Sequence, residues 1–296
     1  MSSFFTATGF GIITAGIIVM AAVGFTLQFS VTGILNIAFG SQMTLAAFIA
    51  YLVNGTLGLN VWVALIVAGL FGGISSVLLN RGVIAPFAKR GTTFFGMFIV
   101  TIAVDLIVEY VIEAVWGPTF VHYSVGQGQP VHIGPMLVTP VQLIILGIGV
   151  GGMVVIHAIL RYTKLGKAMR ASAANPSLAR SCGVPTARVT DIAWFVSGLL
   201  GGVAGVTLAL SFGSLSFTLG DSYLIVLIAA AVLGGIGNAY GAMLGALIIG
   251  LLTQWSSLVI PSAYSDVAAF VVLVVVLLIR PAGVLAGQAK LRGVAG

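Results

Sequence analysis

Long apolar runs parted by short polar breaks set the pattern of this chain. The runs cover residues 9–29, 33–53, 61–80, 93–115, 139–160, 191–212, 222–237, 240–259 and 266–280. A helix needs roughly 20 apolar residues to cross a bilayer, so the pattern predicts about nine membrane-spanning helices. Eight to ten would fit in 296 residues. The break at 54–60 (NGTLGLN) reads as a turn. The longer break at 116–138, with its prolines, glycines, His122 and His132, reads as an ordered external loop. The run at 222–237 is short and ends in GGIG, as a re-entrant or broken helix would. Irregular backbone at membrane depth is tolerated where protein buries it or a cavity wets it.

Small residues recur at four-residue spacing: Gly69 with Gly73, Gly147 with Gly151, Gly198 with Gly202, Gly201 with Gly205, and Gly241 with Gly245. That spacing lets helix backbones approach closely. GILNIAFG at 33–40 and GGIGNAYG at 234–241 place Ile, Asn, an aromatic and Gly in the same order, a weak sign of an internal repeat such as transporters carry.

Composition fixes the class. Apolar residues make up 59% of the chain and charged residues 6%, against about 25% charged in soluble domains. The chain is therefore expected to be an integral membrane protein, with no room for a separate soluble domain. The net charge of +6 has a simpler source than a nucleic-acid partner: basic residues crowd the cytoplasmic ends of membrane spans. The cations cluster at Arg81, Lys89 and Arg90, then from Arg161 to Arg188, then at Arg280, Lys290 and Arg292. An even number of spans separates each cluster from the next, so all three fall on one side, the cytoplasm. Nine spans then put the C-terminus inside and the N-terminus outside. The N-terminal run has no preceding Lys or Arg and reads as a retained span rather than a cleaved signal peptide. Cys182 is the only cysteine, which excludes an internal disulfide.

The basic loop is patterned for helices. In residues 164–173, Lys164, Lys167 and Arg170 recur at three-residue steps. Asn175 is a good N-cap, and Pro176 suits the first turn of a second helix, PSLARSC. Gly183 suits that helix's C-terminal end. Two short cytoplasmic helices are expected, lying on lipid headgroups or on a protein partner.

Asp105, Glu109 and Glu113 lie at four-residue steps in the fourth run, on one helix face. Acids at such depth avoid lipid. The stripe is read either as a polar subunit seam, as a pathway lining that attracts an ammonium group, or as a proton relay. His122, His132 and His157 have no metal-ligand spacing, and no catalytic constellation is recognisable. The nearest approach to a P-loop is Gly166-Lys167, but Ala168 follows and Arg161 occupies the first glycine position. No ATP motor is encoded here.

Four stretches, GILNIAFGSQMTLAAFIAYLV, LGKAMRASAANPSLARSCGVPTARV, AAVLGGIGNAYGAMLGALIIGL and LLIRPAGVLAG, stand in family-like order. Through them the chain resembles the LivH-type inner-membrane permeases of branched-chain (hydrophobic) amino acid ABC importers. The resemblance implies an all-α polytopic bundle, a type II-like importer permease filling residues 1–296 in the bacterial inner membrane. It implies that the loop 161–190, with Lys164, Lys167, Arg170, Asn175, Pro176, Arg180 and Gly183, couples to an ATP-binding subunit. The implied partners are a LivM-like second permease, two ATP-binding subunits that carry ATP and Mg, a periplasmic solute-binding protein and an amino-acid substrate. Asn36 and Asn238, from the two similar octets, join Asp105, Glu109 and Glu113 as candidates for the path or the seam. The alternatives are a self-contained secondary transporter or channel, and a related ABC permease for urea or amides.

Overall fold

Each apolar run becomes a helix. The computed structural model describes residues 2–126, 128–129, 131–133, 136–261, 264–280 and 283–285. In chain order the helices are α1 (Ser2–Thr32), α2 (Phe39–Tyr51), α3 (Val61–Leu79), α4 (Ala85–Lys89), α5 (Phe94–Trp116), α6 (Pro140–Tyr162), α7 (Lys164–Ala174), α8 (Pro176–Ser181), α9 (Thr186–Phe212), α10 (Leu219–Gly234), α11 (Ala239–Ser256) and α12 (Ser265–Ile279). Strands β1 (Val131–Ile133) and β2 (Met136–Val138) pair antiparallel in the loop between α5 and α6. An isolated bridge from Val121 to Leu215 ties that loop to the α9–α10 connection.

Among the described residues, six helical segments are long and apolar enough to cross a membrane by themselves. α1 is the central post, with 83% of its apolar window buried, whereas α5 and α6 reach only 22%. A helix that is apolar all round is stable where other helices surround it, and α1 packs along α6, α9, α10 and α11. The third run continues beyond residue 80 through a π-helical turn at Asn80–Ile84, so Val61 to Lys89 is one 29-residue span. Arg81 and Lys89 therefore stand on helix, not in a loop. The second run begins without helix over residues 33–38, and α10 ends at Gly234. Both α2 and α10 are consequently short.

Glycine sets the helix spacing. A methyl group on Gly198 would lie 2.2 Å from the Gly72 carbonyl oxygen, where α9 meets α3. One on Gly234 would lie 1.9 Å from the Gly241 carbonyl oxygen, between α10 and α11. Such contacts bring backbones together, and packing replaces the hydrophobic effect as the force between helices in lipid. The expected Gly147–Gly151 pair meets nothing. Gly149 between them makes the contact, against Gly16 of α1.

Arg81 forms an ion pair with Asp191 at 2.7 Å, joining the end of the third span to the start of α9. Asn238 donates to the Leu285 carbonyl at 3.2 Å and shares a pocket with Arg170. These links gather Arg81, the α7–α8 loop and the Arg280 segment at one end of the bundle. Lys290 and Arg292 lie outside the described residues.

Candidate functional site

The basic element is built as the spacing predicts. The Thr163 hydroxyl accepts from the Gly166 amide at 3.1 Å and caps α7. Gly166 is needed there because a methyl group would stand 2.3 Å from the Leu160 carbonyl oxygen. Met169 and Ser172 are buried beneath α7. Arg170 turns back to donate to the Leu160 carbonyl, one of the last acceptors of α6, which have no partner within the helix. The Asn175 side chain accepts from the Leu178 amide at 3.0 Å and from the Ser177 hydroxyl at 2.7 Å, with Pro176 in the first turn of α8. Gly183 adopts φ +81°, a left-handed turn that glycine makes without strain. Arg170, Asn175, Pro176 and Gly183 thus shape the element, and like Lys164, Lys167 and Arg180 they are exposed. Leu178, 60% exposed, stands at its tip beside the free thiol of Cys182.

The acidic stripe divides into two environments. Asp105 is buried, 8% exposed, while Glu109 and Glu113 are half-buried at the margin of the packed face. Asp105 is midway along the 23 residues of α5, about 17 Å from its start. It lies beside the first turn of α2, next to Ser41, whose hydroxyl donates to the Ala38 carbonyl at 3.2 Å. Asp221, in the first turn of α10, faces it. The α2 and α10 backbones touch at the same place: a methyl on Gly220 would lie 2.0 Å from the Gly40 carbonyl oxygen, and the Gly220 amide donates to the Thr44 hydroxyl at 2.8 Å. Sequence reasoning missed Asp221. Its signal was available, since it is the only charged residue between Asp191 and Asp266, and an acid inside an apolar run asks for a partner.

Asn36 and Asn238 stand in different surroundings. Asn36, 1% exposed, donates to Gln28 at 3.0 Å, and Gln28 donates to the Ser76 hydroxyl at 3.0 Å. Thr101, one turn before Asp105, donates to the Leu35 carbonyl at 3.2 Å. These contacts tie the non-helical segment into the bundle, with Asn36 Oδ1 left without a donor among the described residues. Asn238 instead caps α11, accepting from the Tyr240 and Gly241 amides at 3.1 and 3.4 Å.

Two open pockets lie at opposite ends. The basic-end pocket, about 640 Å³, is lined by Thr32, Asn80, Arg81, Lys89, Thr190 and Asp191 with apolar neighbours. The other, about 460 Å³, combines Gln142, Ser211, Thr253 and Gln254 with Phe10, Phe212 and Tyr223. In the loop between α5 and α6, burial pushes the Tyr123 hydroxyl above its ordinary pKa, so it stays protonated and donates to the Ala47 carbonyl at 2.8 Å. His122 contacts the Gly213 carbonyl at 2.7 Å and His157 packs edge-on against Tyr162 and Tyr240. The side chain of His132 is outside what the structure describes. Among the described residues, no group of three potential ligands is placed to hold a metal.

A glycine-packed bundle of long apolar helices with a capped basic element at one end is a multi-pass membrane protein. The model of the family described as branched-chain amino acid transport system / permease component matches residues 7–277. The chain belongs to that family and is of its LivH type. It is 30% identical over 292 residues to the probable branched-chain amino acid transport permease LivH of Methanocaldococcus jannaschii, covering 92% of this chain and 90% of that one. It is 27% identical to the high-affinity LivH of Escherichia coli K12, covering 90% of each. The ribose import permease RbsC of the same strain is 28% identical over 86% of this chain and 80% of its own. Among solved structures, PsaBC from Streptococcus pneumoniae in complex with Fab shares the fold with a TM-score of 0.51 and 16% identity, over 92% of this chain and 91% of that one.

Proposed function

We propose that this chain is the translocating subunit of an ATP-driven importer for branched-chain or other amino acids. Its partners are a second, LivM-like permease, two ATP-binding subunits and an extracellular solute-binding protein. The ATP and Mg belong to the ATP-binding subunits. The basic end faces the cytoplasm, in keeping with the positive-inside rule.

The observation that carries this reading is the α7–α8 element: a rigid projection with Leu178, Lys164, Lys167 and Arg180 outward. An apolar tip ringed by cations fits a groove on an acidic protein surface better than a featureless lipid contact. Its mounting also suits force transmission. Arg170 and the close Gly166 contact lock α7 to the end of α6, and α8 runs through Gly183 and Pro185 into α9. Movement of an ATP-binding subunit against α8 would shift α6 and α9 together and re-orient the bundle about α1. Glu109 and Glu113, on a helix with little of its surface packed, support a seam against the second permease rather than a path.

Leu178→Glu and Arg180→Glu test the reading in the reconstituted complex. ATP-driven uptake of leucine should fall at least tenfold, while the permease still inserts and elutes as a folded protein. Unchanged coupling in both variants would remove the docking role. Sidedness is checked separately: a cysteine at Ser177 in a Cys182→Ser background should resist an impermeant thiol reagent added outside sealed cells.

A further inference from the structure

Among the described residues, no partner accounts for the pairing of Asp105 with Asp221. Both oxygens of Asp221 and Oδ1 of Asp105 are shielded from solvent and lack a hydrogen-bond donor. Asp105 is itself more than nine-tenths buried. An ionised carboxylate only accepts, so two ionised groups facing one another leave these oxygens unsatisfied, which buried polar atoms rarely are. The one ion pair among the described residues joins Arg81 to Asp191, at the basic end. The other charged group whose field reaches Asp221 is Glu109, which adds repulsion. Tyr223, two residues along α10, is already engaged.

We propose that Asp105 and Asp221 form a proton-binding site, in which one proton resides on Asp221 and its O–H donates to Oδ1 of Asp105. The division of roles follows from the surroundings. Both carboxyls stand at the start of a helix, Asp105 beside α2 and Asp221 in α10, where the positive ends favour keeping one negative charge on the pair. Both oxygens of Asp221 are shielded and without a donor, whereas only Oδ1 of Asp105 is, so Asp221 is the group that carries the proton. A metal cation is the rival occupant. It is opposed by the positive ends of α2 and α10, which disfavour a cation beside them.

The site joins three elements. α5 supplies Asp105, α2 supplies Ser41 and Gly40, and α10 supplies Asp221 and Gly220. The shared proton holds the starts of the two short helices against the middle of α5. It acts as a latch that would open if Asp221 lost its proton. This inference does not depend on the substrate or on the ATP-binding partners.

Infrared spectroscopy of the purified full chain in lipid nanodiscs tests it. The wild type should show a protonated-carboxyl C=O band at neutral pH that shifts in D2O. Asp221→Asn should abolish that band, and so should Asp105→Asn, because in either variant the amide supplies the missing donor and the remaining carboxyl ionises. Either variant suffices if the other fails to fold. Absence of the band in the wild type, or its persistence in a folded variant, would overturn the proposal. So would a melting temperature that rises with sodium relative to choline chloride in the wild type but not in Asp221→Asn, since that reports a bound cation.

Discussion

The breaks at 33–38 and 235–238 share a residue order but differ in how their polarity is met. In the first, Asn36 is enclosed and reaches Gln28, which reaches Ser76. The chain leaves this break to start α2 beside Asp105, at mid-depth. In the second, Gly235 and Gly237 take φ of +107° and +92° to reverse the chain at the basic end, and Asn238 caps α11. Depth explains the contrast. An amide inside the bundle must find side-chain partners because water is absent, whereas one at the end serves the exposed amides of a helix start. The same asparagine is a strut in one break and a cap in the other.

The contrast breaks most visibly at the glycine contacts beside each turn, where Gly220 packs on Gly40 just after the first and Gly234 on Gly241 across the second. Gly234→Val and Gly220→Val place a side chain where a backbone carbonyl already lies, and overpacking of this kind costs about 3 kcal/mol or more. Both variants should lose most of their monodisperse protein on size-exclusion chromatography. Normal recovery of either would show that its helices are not in contact. The next effect should come from Asn36→Leu, which strips the donor from buried Gln28 and should cost about 1–3 kcal/mol. Thermal unfolding in detergent reads this as a lower midpoint, and Asn36→Ser should not rescue it, because serine cannot span the distance to Gln28. Asn238→Ala should cost about 1 kcal/mol through the lost cap. Here serine should restore the midpoint, since its hydroxyl caps equally well. Equal rescue at both positions would erase the distinction. The smallest effect belongs to Asn175→Ala in the exposed α8. The midpoint should scarcely move, but amide exchange over residues 176–181 should quicken as the cap is lost.

The acids and the loop cations show how far local pattern reaches. Spacing alone placed Asp105, Glu109 and Glu113 on one face, and they are on one face. It could not tell that α2 would begin against Asp105 while Glu109 and Glu113 stayed at the margin. In the loop, Asn175, Pro176 and Gly183 do what their local chemistry dictates. Arg170 reaches back to the Leu160 carbonyl, ten residues away, because α7 folds back on the end of α6, a contact that its three-residue spacing with Lys164 and Lys167 does not encode.

Span positions, membrane class, the capped basic element and the gathering of cations at one end were determined by the sequence itself, because each follows from transfer free energy or from interactions within a few residues. Tertiary structure alone decided three further matters. It made α1 the enclosed post, although several runs are equally apolar. It chose Gly149 over Gly147 and Gly151 as a contact, because only the helix rotation selects which glycine faces its neighbour. And it brought Asp221 to Asp105 across more than a hundred residues of chain, an encounter set by where two short helices begin and not by any pattern around either acid.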